Sequence, residues 1–131
     1  MNKTVLLDKY PVYAEEIAKD DTECKNVDDV MARLKEKVAA HPVATYIGEF
    51  DHYAHVAAQA EGKIAEGIKA SKHVLFCVAN AIPNPLIAAV RPRAVSVVEL
   101  VDKFVISYLE APVEQVNQLL ADWVDSLRKS G

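Results

Sequence analysis

The run "HVLFCVA" at 73–79 limits the architecture more than any other stretch of the chain. Successive strand side chains point to opposite faces. Val74, Phe76 and Val78 would line one face, and Leu75, Cys77 and Ala79 the other. A strand that is apolar on both sides is expected inside a sheet, with cover on each face.

Two amphipathic segments can supply cover. In "NVDDVMARLKEKVAAHP", residues Val27, Val30, Met31, Leu34 and Val38 fall on one helical stripe. Asn26 suits the N-cap, and Asp28 and Asp29 suit the positive end of the helix dipole. The residue before a proline avoids helical backbone, so His41-Pro42 ends the helix, predicted over 27–40. In "APVEQVNQLLADWVDSLRKSG", Pro112 fits the first helical position. Val113, Val116, Leu119, Leu120, Trp123, Val124 and Leu127 make an apolar face, and Arg128 and Lys129 suit the negative end. The spacing predicts a helix over 112–129.

Strand signals occupy the space between. "VATYIGEF" at 43–50 is rich in β-branched and aromatic residues. "AVSVVEL" at 94–100 and "KFVISYLE" at 103–110 read as a hairpin. "PVYAEEIAK" at 11–19 is compatible with strand or helix, and "GKIAEGIKASK" at 62–72 with one or two helical turns. The connection at 80–92 carries Pro83, Pro85 and Pro92, and long connections in compact domains often serve function. The expectation is a single α+β domain, 1–131, in which an antiparallel sheet of about five strands carries both helices on one face. Apolar residues on the other face would need a second cover, from the 80–92 segment and from a second subunit, so a homodimer is expected.

The bulk numbers narrow the function classes. The 131 residues are 51% hydrophobic and 26% charged, enough for a packed core. A net charge of −4 gives no general attraction to nucleic acid or to an anionic membrane surface. No stretch approaches 18 apolar residues, and the N-terminus lacks a signal-peptide core. Cys24 and Cys77 form no CxxC pair, so neither a disulfide framework nor a zinc ribbon is expected. A cytoplasmic location with reduced thiols follows as an expectation.

"KYPVY", "HPVATYIGEFDHYAH", "IPNP", "VRPR" and "SYLEAP", in this order, resemble a family of small uncharacterised bacterial proteins across nearly the whole chain. The resemblance implies a compact cytosolic α+β domain. It implies no activity and no catalytic residues. Where the family pattern has a Cys-Phe-Gly run after the central strand, this chain has "FCVAN", leaving Ala79-Asn80 to make the turn.

Two clusters are candidates for chemistry. The first is "GEFDHYAHV" at 48–56. On a continued strand, His52 and His55 point to opposite faces and cannot share a metal. On a helix, three residues apart, they share a face. A metal site around Asp51, His52 and His55 would need a further ligand from Glu99, Asp102, His73 or Cys77. Acid–base chemistry would need only a His oriented by Asp51 or Glu49. The blander reading is polar residues satisfied by hydrogen bonds, with strand favoured by the preceding β signals. The second cluster is Arg91 and Arg93 about Pro92, whose guanidinium forks suit a carboxylate or phosphate. Its blander reading is a pair of salt bridges, since acidic residues outnumber basic ones.

Cys77 reads as a small buried hydrophobe rather than a nucleophile, and Cys24 as an exposed loop residue. Tyr46, Tyr53 and Tyr108 read as packing residues, with a shared pocket as the alternative. The first functional reading is a non-enzymatic binding or interaction domain without a cofactor. It would take a small anionic ligand at Arg91 and Arg93, with His52, Tyr53 and His55 completing a polar wall. The alternative is a small enzyme using His–carboxylate or metal chemistry around Asp51, His52 and His55.

Overall fold

The computed structural model describes residues 1–129. These form strands β1 (Asn2–Leu6), β2 (Tyr10–Ala18), β3 (Ala44–Asp51), β4 (Ala70–Val78), β5 (Arg93–Glu99) and β6 (Lys103–Leu109). The α-helices are α1 (Val27–Ala40), α2 (His52–Ala57) and α3 (Glu114–Asp125), and two short 3-10 helices span Lys19–Asp21 and Ile87–Val90. The six strands make one antiparallel sheet in the order β1-β2-β6-β5-β4-β3. The class is the expected α+β, with one more strand and one more helix than the patterns indicated.

Helix α1 has the predicted bounds and buries the predicted stripe of Val27, Val30, Met31, Leu34 and Val38. Its start is fixed twice. The Asn26 side chain accepts from the Asp29 N–H at 2.9 Å, and the Asp29 carboxylate accepts from the Lys25 N–H at 2.8 Å. At its end the His41 Nδ1 accepts from the Val43 and Ala44 N–H groups, both at 3.1 Å, and leads the chain into β3.

Helix α3 is shorter than 112–129. Val113 is its N-cap, without a side-chain cap, and regular helix stops at Asp125. Pro112 and Val113 are instead part of a link held by Asn117. Its buried amide accepts from the Ala111 N–H at 2.7 Å and donates to the Ala111 carbonyl at 3.1 Å. At the other end Arg128 pairs with Asp21 at 2.7 Å and with Glu15, drawing the chain back onto the sheet instead of extending the helix.

The core lies between the sheet and the α1/α3 layer: Ile17, Val74, Phe76, Val95, Val97, Phe104 and Ile106 meet Leu34, Leu120, Trp123 and Val124. Strand β4 is interior, as expected, but its two faces differ. Val74 and Phe76 are buried under the helices, whereas Leu75 and Cys77 on the opposite face are only half-buried. The ambiguous 11–19 segment is strand. The 62–72 segment holds no helix: it is a turn-rich connection followed by the start of β4. Cys24 is buried at 3% exposure, correcting its reading as an exposed residue. Its N–H binds the Thr22 hydroxyl at 3.1 Å, which turns the thiol inward.

Candidate functional site

The candidate groups gather at the two ends of the sheet: the histidines on the face away from α1 and α3, and Arg93 on the covered face, in step with Val95 and Val97 and next to the start of α3. At one end β3 runs into α2. Strand geometry does not continue through 50–55, which corrects the strand reading of the histidines. The Asp51 carboxylate caps α2 by accepting from the Ala54 N–H at 2.8 Å. His52 and His55 are then three helical residues apart and gather round Phe50, each ring centroid 5.6 Å from it. Phe50 is paired across the sheet with His73, which completes the group at 5.7 Å and lies 5.4 Å from His52. Burial, and then the neighbouring His52 charge, hold the His73 pKa below the ordinary imidazole value.

This is a ring cluster rather than a ligand set. Among the described residues, no group of three or more His, Cys, Asp or Glu side chains is arranged to hold a metal ion. Of the distant ligands considered, only His73 joins the cluster. Glu99 belongs to the covered face, where it accepts from Lys19 at 2.7 Å and from the Val27 N–H at 2.9 Å. Asp51 is occupied with its cap and lies 4.0 Å from Lys72, so it orients no histidine.

At the opposite end the 79–92 connection joins β4 to β5. Arg91 and Arg93 line one narrow cleft with Ala111, Pro112, Val113 and Val116, just before and within the first turn of α3. Neither arginine makes an ion pair among the described residues, although this is an acidic chain. Arg93 donates from Nη2 to the Leu109 carbonyl, and its buried Nε has no hydrogen-bond partner. Burial, and then Arg91 itself, hold the Arg93 pKa below the ordinary guanidinium value. An open cavity lies on either side. One of about 580 Å³ is lined by Arg91, Cys77, Asn80 and Ile82. The other, about 390 Å³, runs over the open sheet face past Arg93, Ala94, Ser96, Ser107 and His73.

The two predicted halves of a combined site occupy different stretches of the sheet, with one cavity lined by both Arg93 and His73. Ser96 is paired with His73, and Arg93 with Phe76. Three residues of strand, roughly 10 Å at about 3.3 Å each, separate the arginine end from the histidine end. Tyr46, Tyr53 and Tyr108 do not meet either. Tyr46 lies under Lys35 of α1, Tyr53 is on α2, and Tyr108 is in the core.

The family model described as "Family of unknown function (DUF6858)" matches residues 1–129. The chain belongs to that family. No curated protein and no solved structure matches it. Membership of DUF6858 supports the expected uncharacterised domain and assigns no site residues. The DUF6858 domain described here has no helix long and apolar enough to cross a membrane among the described residues.

One residue outside both sequence clusters belongs to the histidine end. Lys63, from "EGKIAEG", lines a cavity with His52 and Tyr53. Two glycines five residues apart argued against a helix there.

Proposed function

We propose that this domain binds a small amphipathic anion, with the acidic group held by Arg91 and Arg93 and the apolar body lying in one of the flanking cavities. The observation that carries this reading is the pair of neighbouring guanidinium groups without an acidic partner in a chain of net charge −4. Like charges placed together repel, and a half-buried guanidinium with an unbonded Nε loses hydration without compensation. A carboxylate or phosphate relieves both. The first turn of α3, which has no side-chain cap, adds N–H groups of the same polarity beside the arginines.

The role is binding rather than catalysis. His52 and His55 sit at the other end of the sheet, and His73, which shares a cavity wall with Arg93, has no carboxylate hydrogen-bond partner among the described residues, while Asp51 is taken up by its cap. Titration calorimetry with octanoate and with inorganic phosphate tests the reading. Saturable octanoate binding that weakens at least tenfold in Arg93→Gln, and further in the Arg91→Gln/Arg93→Gln double variant, is expected. Binding that survives the double variant, or none in the wild type with either anion, overturns it.

A further inference from the structure

A second pocket, independent of the arginines, lies at the histidine end. It is about 150 Å³ and is lined by His52, Tyr53 and Val56 of α2, by Lys63, Ile64, Ala65 and Ile68 of the following connection, and by Ser71 of β4. We infer that this pocket binds a short-chain monocarboxylic acid, with the carboxylate on Lys63 and the carbon chain against Val56, Ile64 and Ile68.

The pocket wall is specified by the chain. After α2 the backbone turns back on itself, and Gly62 passes so close to the helix that a Cβ there would stand 2.0 Å from the Val56 carbonyl oxygen. Only glycine permits that approach. Gly67 has a φ of +92°, a conformation that L side chains rarely adopt, and it returns the chain toward β4. The return is fixed by the Lys69 N–H bonding to the Glu99 carbonyl at 2.8 Å. Lys63 and Ile64, between the two glycines, and Ile68, just after the second, line the pocket with α2 and with Ser71, which is 9% exposed.

The polar groups in this pocket are uncommitted. Lys63 makes no ion pair among the described residues, although Glu61 and Glu66 are its near neighbours in sequence. The side chains of His52 and Tyr53 make no hydrogen bond to the rest of the described chain, since the bonds of this region go to the Asp51 cap and to the His55 carbonyl. One ammonium, an imidazole and a phenol, set among aliphatic walls, match one negative charge on a small apolar body. A free phosphate would place up to two charges against a single cation and leave the apolar walls unused.

Amide chemical shifts of the full chain, followed at constant ionic strength with butyrate, butyramide and inorganic phosphate, test this. Butyrate is expected to move the amides of Ile64, Ile68 and Ser71 saturably. Lys63→Gln is expected to weaken that binding about tenfold, and butyramide to bind at least tenfold more weakly than butyrate. The Arg91→Gln/Arg93→Gln variant is expected to leave these shifts unchanged, which separates this pocket from the arginine cleft. Lys63 is exposed, so its variant keeps the fold, and unchanged amide dispersion checks that. No saturable shift at these amides, equal binding of butyramide or phosphate, or unchanged affinity in Lys63→Gln would each overturn the inference.

Discussion

Glu99 ties three segments of the chain to β5, through Lys19, the Val27 N–H and the Lys69 N–H. Its side chain is 9% exposed and accepts from both the Lys19 ammonium and the first N–H of α1. The carboxylate thus closes a buried ion pair and sits at the positive end of a helix dipole. Glu99→Ala would leave Lys19 unpaired under the sheet. Removing one partner of such a pair costs about 3–5 kcal/mol, and the lower end is expected because the Lys19 side chain still reaches solvent at 22% exposure. A urea midpoint shift measures it. Tyr108 is a second case. Its hydroxyl donates to the Asn117 carbonyl at 2.8 Å, and burial, more than nearby charge, raises its pKa to about 12. The folded chain therefore holds this proton more tightly than the unfolded chain, whose phenol titrates near 10. The resulting stability is whole below pH 10 and is lost as the pH rises through about 12. Melting temperature across that window should fall more steeply in the wild type than in Tyr108→Phe, which itself gives up about 1 kcal/mol with the hydrogen bond.

At the scale of elements, α1 was legible to the residue because stripe, cap and proline stop all agree. The hairpin of β5 and β6 was legible because two runs rich in β-branched and aromatic residues are joined by a connection of only three residues, 100–102. The first strand was not, since its turn to β2 is made by Leu7 and Asp8 at φ values of 53° and 58°, and Leu-Asp carries none of the usual turn signal. Helix α2 was hidden for another reason. Six residues are too few for periodicity, and the decisive element is one local bond, from Ala54 to Asp51. The wall after α2 depends just as locally on Gly62. Gly62→Ala is expected to expel the 62–68 segment from α2 while leaving the core intact. Hydrogen exchange should then speed up at Gln59, Gly62 and Ile68, with protection of β5 and β6 unchanged, and the cost should be about 1–3 kcal/mol, as for other strained backbone sites.

The whole molecule shows where sequence reasoning stopped. Patterning identified both candidate clusters but had no means to say that they lie at opposite ends of one sheet, because that follows from register across β3, β4 and β5. The arginine end is also the apolar end: Leu6, Leu7, Ile82, Leu86 and Leu109 are all more than half exposed there. We propose that two copies meet through this rim. Light scattering at micromolar concentration should give twice the mass of the 14.4 kDa chain, and Leu86→Glu with Leu109→Glu should halve it. A monomeric mass in the wild type would count against pairing. The strand order has one more effect, on the timing of folding. Strand β2 is joined to the rest of the sheet only through β6, with Val12 opposite Leu109 and Ala18 opposite Lys103. During synthesis the hairpin of β1 and β2 therefore waits until β6 has been made before its inner edge is satisfied. Assembly has to be late and concerted, and a chaperone would meet a nascent chain whose earliest strands are its last to be sheltered.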